Sequence, residues 1–219
     1  MRDIVVEHAP RDRAIQLLDV GCGNGTLAFH LATALPLASI VGVDISPANI
    51  RAAAARQPME PSGSRVAFER VDYLHYATPP VDVIVTDTVL HFIGGEPAAL
   101  WTKLAGDLNH GGVLVCAMAY DCAHNRALRA MRRTLRLLRS DVVDAGLAAV
   151  ARVAYGRRMD DALLRERTEY MYIPPEQLMT PWVRDQLAPS VGLRPAVDVD
   201  MPGASATQLR QRVTVFHKD

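Results

Sequence analysis

The chain has 219 residues, 49% of them hydrophobic, and its 24 basic residues balance its 24 acidic ones. This length fits one domain, 1–219, that carries an insertion, and this apolar content is enough for a core. Zero net charge excludes a general electrostatic attraction to nucleic acid or membrane. The sequence has no bilayer-spanning apolar run and no secretory leader, so we expect a cytoplasmic protein that is not bound to a membrane.

From residue 15 onward, short apolar strands alternate with helical stretches, as in βαβ units of a doubly wound, mostly parallel α/β sheet. Strands are predicted at Ile15–Val20, Ser39–Ile45, Arg65–Val71, Val81–Thr86 and Val113–Ala119. Helices are predicted at Thr26–Ala34, Pro47–Arg56 and Pro97–Leu108. His110-Gly111-Gly112 is the expected end of the third helix, since glycine is favoured just past a helix terminus.

Residues 124–170 interrupt this alternation and hold 11 basic against 6 acidic residues. Apolar residues recur there every three or four positions, with arginines on the other faces, which predicts an amphipathic helix followed by one or two more through Tyr170. The apolar positions are Leu128, Met131, Leu135, Leu138 and Val142. A helix is then predicted at Pro175–Ala188. Strands at Arg194–Met201 and Gln208–His217 should pair antiparallel around Pro202-Gly203.

A glycine-rich turn follows the first strand. The strand ends in Asp19 and is followed by Gly21, Gly23 and Gly25, and then by a predicted helix. Glycine permits positive φ and close approach of the main chain to a ligand, and the free N–H groups of the helix start face the turn. Gly25 comes one residue too early for the dinucleotide pattern Gly-x-Gly-x-x-Gly, and no Gly-Lys-Ser/Thr of a phosphate loop is present.

This turn resembles motif I of the class I S-adenosylmethionine-dependent methyltransferases, and the similarity extends over residues 15–119 and 190–217. The resemblance implies a seven-stranded sheet with an antiparallel C-terminal hairpin strand, and a helical cap formed by the insertion at 122–172. It also implies that Asp44 holds the ribose hydroxyls, that Asp72 faces the adenine and that Asp87 lies near the methionine end. The expected cofactor contacts are Asp19, Gly21, Cys22, Gly23, Asn24, Gly25, Asp44, Ile45, Asp72, Tyr73, Asp87 and Thr88.

The methyl acceptor is expected to be a small molecule, with transfer to oxygen or nitrogen by in-line displacement. The motifs for amine methylation of adenine, for pyrimidine C5 methylation and for metal-assisted catechol methylation are missing after the fourth and fifth strands, and no metal is expected. His91 is the first candidate for a general base, because it follows the fourth strand closely, and His124 is the second. Tyr120, Tyr170 and Tyr172 are expected to line the acceptor pocket.

Two alternatives remain open from the sequence. The Arg-rich insertion would suit a nucleic-acid methyltransferase or a nucleic-acid binder, whose affinity would fall steeply with salt. A cofactor-binding subunit without chemistry of its own would bind S-adenosylmethionine but show no turnover. A homodimer, in which a second subunit completes the site, is also compatible with the short segment before the first strand.

Overall fold

The computed structural model describes residues 1–155, 168–202 and 205–219. The strands are β1 (Ile15–Val20), β2 (Ala38–Asp44), β3 (Val66–Arg70), β4 (Val81–Asp87), β5 (Leu108–Ala119), β6 (Leu193–Asp200) and β7 (Gln211–Lys218). The helices are α1 (Arg2–His8), α2 (Thr26–Ala34), α3 (Pro47–Arg56), α4 (Pro97–Gly106), α5 (Ala123–Leu137), α6 (Asp141–Tyr155) and α7 (181–190). The predicted α/β pattern is confirmed.

The seven strands form one sheet in the order β3-β2-β1-β4-β5-β7-β6. β1 pairs in parallel with β2 and β4, β2 with β3, and β4 with β5. β7 is antiparallel to both β5 and β6, so it is the C-terminal strand that reverses direction. The order turns around between β1 and β4, and ligands of open α/β sheets bind at the carboxyl ends of the strands at such a point.

Both faces of the sheet are covered, which explains why the central strands are apolar at almost every position. Side chains alternate between the faces, so Leu17 packs with α1 and α2 whereas Leu18 packs with α4 and α7. Trp101 of α4 is fully buried against Phe216 of β7, with their ring centroids 5.2 Å apart. These two cores hold the carboxyl edge of β1, β2 and β4 in place.

One predicted boundary is wrong. α4 ends at Gly106, and β5 begins at Leu108 because Leu108 already pairs with Val81 of β4. His110-Gly111-Gly112 therefore lies inside β5, where the pairing with β4 shifts register and Gly111 has a φ of +72°. The glycines make an irregularity in the strand instead of ending a helix.

The helical prediction for Pro175–Ala188 is also wrong in its first half. Residues 174–180 are not helical, and Met179 forms a parallel bridge with Tyr120 before α7 begins at 181. Two features stay predictions, because helix after Tyr155 and the turn at Gly203 fall on residues 156–167 and 203–204, outside the described residues.

The insertion begins with helices, as predicted, but its apolar stripe is not continuous. α5 ends at Leu137, so Leu138 and Val142 do not belong to it and are 60% and 82% exposed. Leu128 is buried, and the position one turn further along on that face holds Arg132, which is also buried. Arg132 therefore lies on a buried face, although the sequence predicted that the arginines take the other faces of the helix.

Candidate active site

The glycine turn has the left-handed conformation that its sequence predicts. Gly21, Gly23 and Gly25 have φ values of +72°, +55° and +78°. The N–H groups of Gly21 and Cys22 both donate to the carbonyl of Val43 in β2, at 2.8 and 3.0 Å. These two main-chain hydrogen bonds fix the start of the turn to the neighbouring strand.

The three glycines differ in what surrounds them. A Cβ added to Gly21 would lie 2.6 Å from Val89, and one added to Gly25 would lie 2.5 Å from the ring of Phe68. A Cβ added to Gly23 meets nothing within 4 Å. Gly21 and Gly25 are therefore required by packing within the protein, whereas the open side of Gly23 is free for a bound molecule.

Asp19 lies under the turn and is buried, with no hydrogen-bond partner for Oδ2. Burial, with the nearby charges of Asp87 and Asp44, raises the pKa of Asp19 to about 7. A buried carboxyl oxygen without a donor is costly, so its position suits a ligand that carries a donor or a positive charge. The ammonium group of S-adenosylmethionine is such a donor.

Asp44 ends β2 and fastens the turn from the other side. Its Oδ2 accepts from the N–H of Gly23 at 2.9 Å and from Asn49 Nδ2 at 3.2 Å, while Oδ1 accepts from the N–H of Ser46 at 2.8 Å. A carboxylate has about four acceptor positions, so one is left. To hold two ribose hydroxyls it would have to exchange the side-chain amide of Asn49 for one of them, which needs only a rotation of that side chain.

On the predicted adenine side of the site, an apolar side chain is exposed. Ile45, directly after Asp44, is 67% exposed, and an apolar side chain in that position suits the face of a purine. Asp72 caps a short 3₁₀ turn by accepting from the N–H of Leu74 at 3.0 Å, and its other oxygen lies 3.3 Å from His75 Nδ1. The side chain of Tyr73 is turned into the core, so only the main chain of Tyr73 is left for its predicted contact with the cofactor.

The reason for the orientation of Tyr73 is a polar contact on the far side of its ring. Its hydroxyl donates to Asp107 Oδ2 at 2.9 Å, and Lys103 Nζ lies 4.8 Å from the ring centroid.

Asn24 and Cys22, in the glycine turn, also make contacts within the protein. Asn24 Oδ1 accepts from Thr26 at the start of α2, and burial raises the pKa of the Cys22 thiol, which makes Cys22 a packing residue.

The loop after β4 connects the glycine turn to the helical insertion. Thr88 has a φ of +64°, a strained value for a residue with a branched Cβ, and its N–H donates to Ala117 of β5 at 3.0 Å. Val89 packs against Gly21, and Phe92 contacts the ring of Tyr170 with centroids 5.5 Å apart. Burial raises the pKa of Asp87 at the start of this loop, and the positive amino terminus opposes that shift.

His91 lies in this loop and is 1% exposed. Its carbonyl accepts from the N–H groups of Glu176 and Gln177, while its Nδ1 has no partner. Burial, with the nearby charge of Arg132, lowers the pKa of His91 to about 3. His91 is thus a neutral imidazole at physiological pH, better suited to hydrogen bonding than to proton removal.

The three tyrosines predicted to line a pocket lie in different surroundings. Tyr170 is exposed and contacts the loop after β4. Tyr172 is buried, and its hydroxyl donates to Asp144 of α6; burial and this contact raise the pKa of Tyr172 to about 12. Tyr120 packs under the guanidinium of Arg212, 4.7 Å from its ring centroid.

His124 lies at the start of α5, where its Nε2 contacts the carbonyl of Gln208 at 3.0 Å. Next to it, Asn125 is fully buried and binds the carbonyls of Tyr120 and Arg210, so it fastens α5 to β5 and to the approach of β7. These contacts give His124 and Asn125 a structural role. Within the described residues no group of three or more His, Cys, Asp or Glu side chains is arranged to hold a metal.

Three polar residues of this region were not among the predicted site residues: Arg129 and Arg132 of α5 and Gln177 of the segment after the insertion. Arg132 is 3% exposed and donates to the carbonyls of Ile173 and Thr207 at 3.2 and 3.1 Å. Its place four residues after Leu128, on the same helical face, was the available signal. An arginine on a buried face points to a partner inside the protein.

The strand order, the glycine turn and the acid at the end of β2 define an S-adenosylmethionine-binding methyltransferase fold of class I. The orphaned Asp19 oxygen and the open side of Gly23 fit that cofactor. Residues 18–114 match a family model described as a methyltransferase domain. Over this part the chain is similar to the class I S-adenosylmethionine-dependent methyltransferases, and the site residues fit S-adenosylmethionine as the cofactor.

Curated relatives are similar to part of the chain. The trans-aconitate 2-methyltransferase of Streptomyces avermitilis is 32% identical over 137 residues, which are 60% of this chain and 49% of that protein. That of Pseudomonas aeruginosa is 35% identical over 104 residues, 47% of this chain and 35% of that protein. The matched part thus spans about half, or less, of these relatives' length.

Solved structures support the fold over the whole chain. A magnesium protoporphyrin IX methyltransferase from Synechocystis with bound SAH has a TM-score of 0.64 at 16% identity, covering 100% of this chain and 82% of that one. The N-methyltransferase NodS from Bradyrhizobium japonicum has a TM-score of 0.57 at 18% identity, covering 99% and 93%. None of the helices in the described residues is long and apolar enough to cross a membrane.

Proposed function

We propose that this protein transfers a methyl group from S-adenosylmethionine to an oxygen or nitrogen atom of a small molecule. The observation that carries the proposal is the meeting of three features at the carboxyl edge of the sheet. These are the open Gly23 of the glycine turn, the unpartnered Asp19 oxygen in β1 and the carboxylate of Asp44, which ends β2 and accepts from the N–H of Gly23. The loop after β4 then brings His91 between this turn and the insertion.

S-adenosylmethionine, when bound, supplies the methyl group. The protein's part is to align the acceptor with that group in line with the breaking bond, and positioning of this kind can contribute about 7–11 kcal/mol to the lowering of a barrier. Asp44 would orient the ribose and Asp19 the ammonium group. The covering loop and helices would exclude water from the reacting atoms.

His91 would contact the acceptor as a neutral imidazole. With a pKa of about 3, His91 is a weak base. We therefore expect acceptors from which the protein need not remove a proton before the transfer. His124 stays the second candidate, with its Nε2 engaged by Gln208 in the free protein. The small-molecule class is supported by the relatives, which act on trans-aconitate, a small acid.

A nucleic-acid acceptor is the weaker candidate, because three arginines of the insertion form ion pairs within the protein. These pairs are Arg126 with Asp121, Arg136 with Glu176 and Arg139 with Glu169. Guanidinium groups held in this way are not arranged to neutralise phosphates. The three cysteines are free, which suits the cytoplasm.

The test is calorimetric titration with S-adenosylmethionine, followed by assay of S-adenosylhomocysteine release over a panel of small acceptors. Asp44→Ala should weaken cofactor binding at least tenfold, since it removes an acceptor of hydroxyl donors. Asp200→Ala, which removes an exposed carboxylate that pairs with Arg212 in β7, is the control and should leave binding unchanged. Binding that survives Asp44→Ala would contradict the proposed site, and binding without turnover would indicate a non-catalytic subunit.

A further inference from the structure

Four buried polar atoms without a hydrogen-bond partner lie close together beside the loop after β4. In the described residues seven such atoms occur, and these four are His91 Nδ1, Arg129 Nε, Arg132 Nε and Gln177 Oε1. Buried polar groups are nearly always satisfied in folded proteins. A concentration of more than half of the exceptions in one place indicates a group that the protein itself does not supply.

Hydrogen bonds to main-chain carbonyls hold these four residues in one cluster. The carbonyl of His91 accepts from the N–H of Gln177 at 3.2 Å, and Gln177 Nε2 donates to the carbonyl of Ile93 at 3.0 Å. Arg129 donates to the carbonyl of Glu176. The charge of Arg132 acts directly on His91. The loop after β4, α5 and residues 173–177 therefore surround one small region.

Arg132 is the buried positive charge of the cluster. Its side chain is buried, its two hydrogen bonds go to neutral carbonyls, and its guanidinium carbon lies 5.8 Å from the ring centroid of Tyr170. No carboxylate among the described residues forms an ion pair with it. Burying a charge in this way is costly unless an opposite charge accompanies it.

The cluster is adjacent to the cofactor site through the loop that both share. Val89 lies against Gly21 of the glycine turn, and His91 and Phe92, two and three residues further on, face the cluster and Tyr170. A molecule held at Arg132 would therefore lie against the same loop that contacts the glycine turn, next to the cofactor site.

We infer that this cluster is the acceptor subsite and that the acceptor is a small molecule carrying a carboxylate, which Arg132 binds through its free Nε and remaining N–H groups. The inference rests on the proposed function. A guanidinium is suited to the task because its planar donors match the two oxygens of a carboxylate. Gln177 and neutral His91 supply the further hydrogen bonds that would fix the orientation of the acid. Arg132 is thus a specificity-determining residue.

The test measures binding of benzoate, succinate and trans-aconitate, with the neutral trimethyl ester of trans-aconitate as comparison, to protein saturated with S-adenosylhomocysteine. At least one acid should bind the wild type, and Arg132→Gln should weaken it at least 30-fold, about 2 kcal/mol, as expected when one partner of a buried charge pair is removed. Arg133→Gln, an exposed neighbour on α5, should change binding less than threefold. Binding of the ester should be insensitive to both.

The outcomes separate this inference from the proposed function. S-adenosylmethionine binding that is intact in all variants, together with equal acid binding in Arg132→Gln and Arg133→Gln, or with no acid bound by the wild type, overturns the inference alone. Failure of the wild type to bind S-adenosylmethionine overturns the proposed function. If Arg132→Gln does not melt cooperatively, Arg132→Lys replaces it: it keeps the charge but loses the planar fork, so acid binding should weaken about tenfold, and an unchanged affinity counts against the inference.

Discussion

Gly23 and Gly25 provide a matched test of what the glycine turn does. Both have positive φ, so replacement by alanine costs about 1–2 kcal/mol in either place, the penalty of the left-handed conformation for a residue with a Cβ. Only Gly25 adds a steric cost. Its new Cβ would lie 2.5 Å from Phe68 and 3.0 Å from Phe29, and crowding of a packed site typically costs about 1–3 kcal/mol more.

We expect Gly25→Ala to affect mainly the stability of the protein and Gly23→Ala to affect mainly its cofactor affinity. Gly25→Ala should lower the free energy of unfolding by about 2–5 kcal/mol and Gly23→Ala by about 1–2 kcal/mol, which for a chain of this size means melting temperatures lower by about 4–20 °C and about 2–8 °C. Gly23→Ala should be the variant that loses more cofactor affinity relative to its loss of stability, because its Cβ enters the open side of the turn.

Thermal melts and calorimetric titration with S-adenosylmethionine, both on the two variants and the wild type, measure these quantities. The titration is done well below the melting temperature of each variant, so that affinity is compared among folded proteins. Wild-type affinity in Gly23→Ala, or equal destabilisation by the two substitutions, would refute the assignment of one glycine to the ligand and the other to packing.

Two further predictions follow from buried titratable groups. The pKa of Asp19 is raised to about 7, so its folded form holds a proton that the unfolded chain has lost; the stability of the free protein should therefore fall as pH rises from about 4 to about 7, and S-adenosylmethionine affinity should rise across pH 6–8. Urea denaturation and titration of wild type and Asp19→Asn at pH 5 and pH 8 measure both effects, and pH trends retained in the variant would contradict this role. His91 should show no NMR titration between pH 5 and pH 8 in the free protein, because its pKa is lowered to about 3, and a midpoint in that interval would restore it as a general base.

The cofactor half of the site was predictable from the sequence because it is built from main-chain geometry. Positive φ at Gly21 and an acid at the end of β2 are requirements that few residue types meet, so the residues themselves reveal the conformation. The same holds for β1, whose predicted and observed bounds agree at Ile15–Val20. Tyr73 was less predictable, since whether its ring turns to the ligand or to Asp107 depends on α4, which is remote in sequence.

The acceptor half was not predictable, because helical periodicity shows which side chains face inward but not what they face. Arg132 follows the apolar spacing of α5 and was assigned to a solvated face on the basis of its charge. Residues 175–180 were predicted to be helical, yet Met179 pairs with Tyr120 and the helix begins only at residue 181. Contacts between distant segments decided both cases, and they overrode local preference.

The loop after β4 makes the two halves depend on each other. Thr88 pays a conformational cost for its positive φ, and its N–H is fixed to Ala117 of β5, so the direction in which the chain leaves β4 is set by the sheet. That direction puts Val89 against the glycine turn and His91 beside Arg132. Because a single short loop contacts both subsites, a molecule that orders it from one side reduces the entropy still to be lost on the other, and cofactor and acceptor should each strengthen the binding of the other by the same factor.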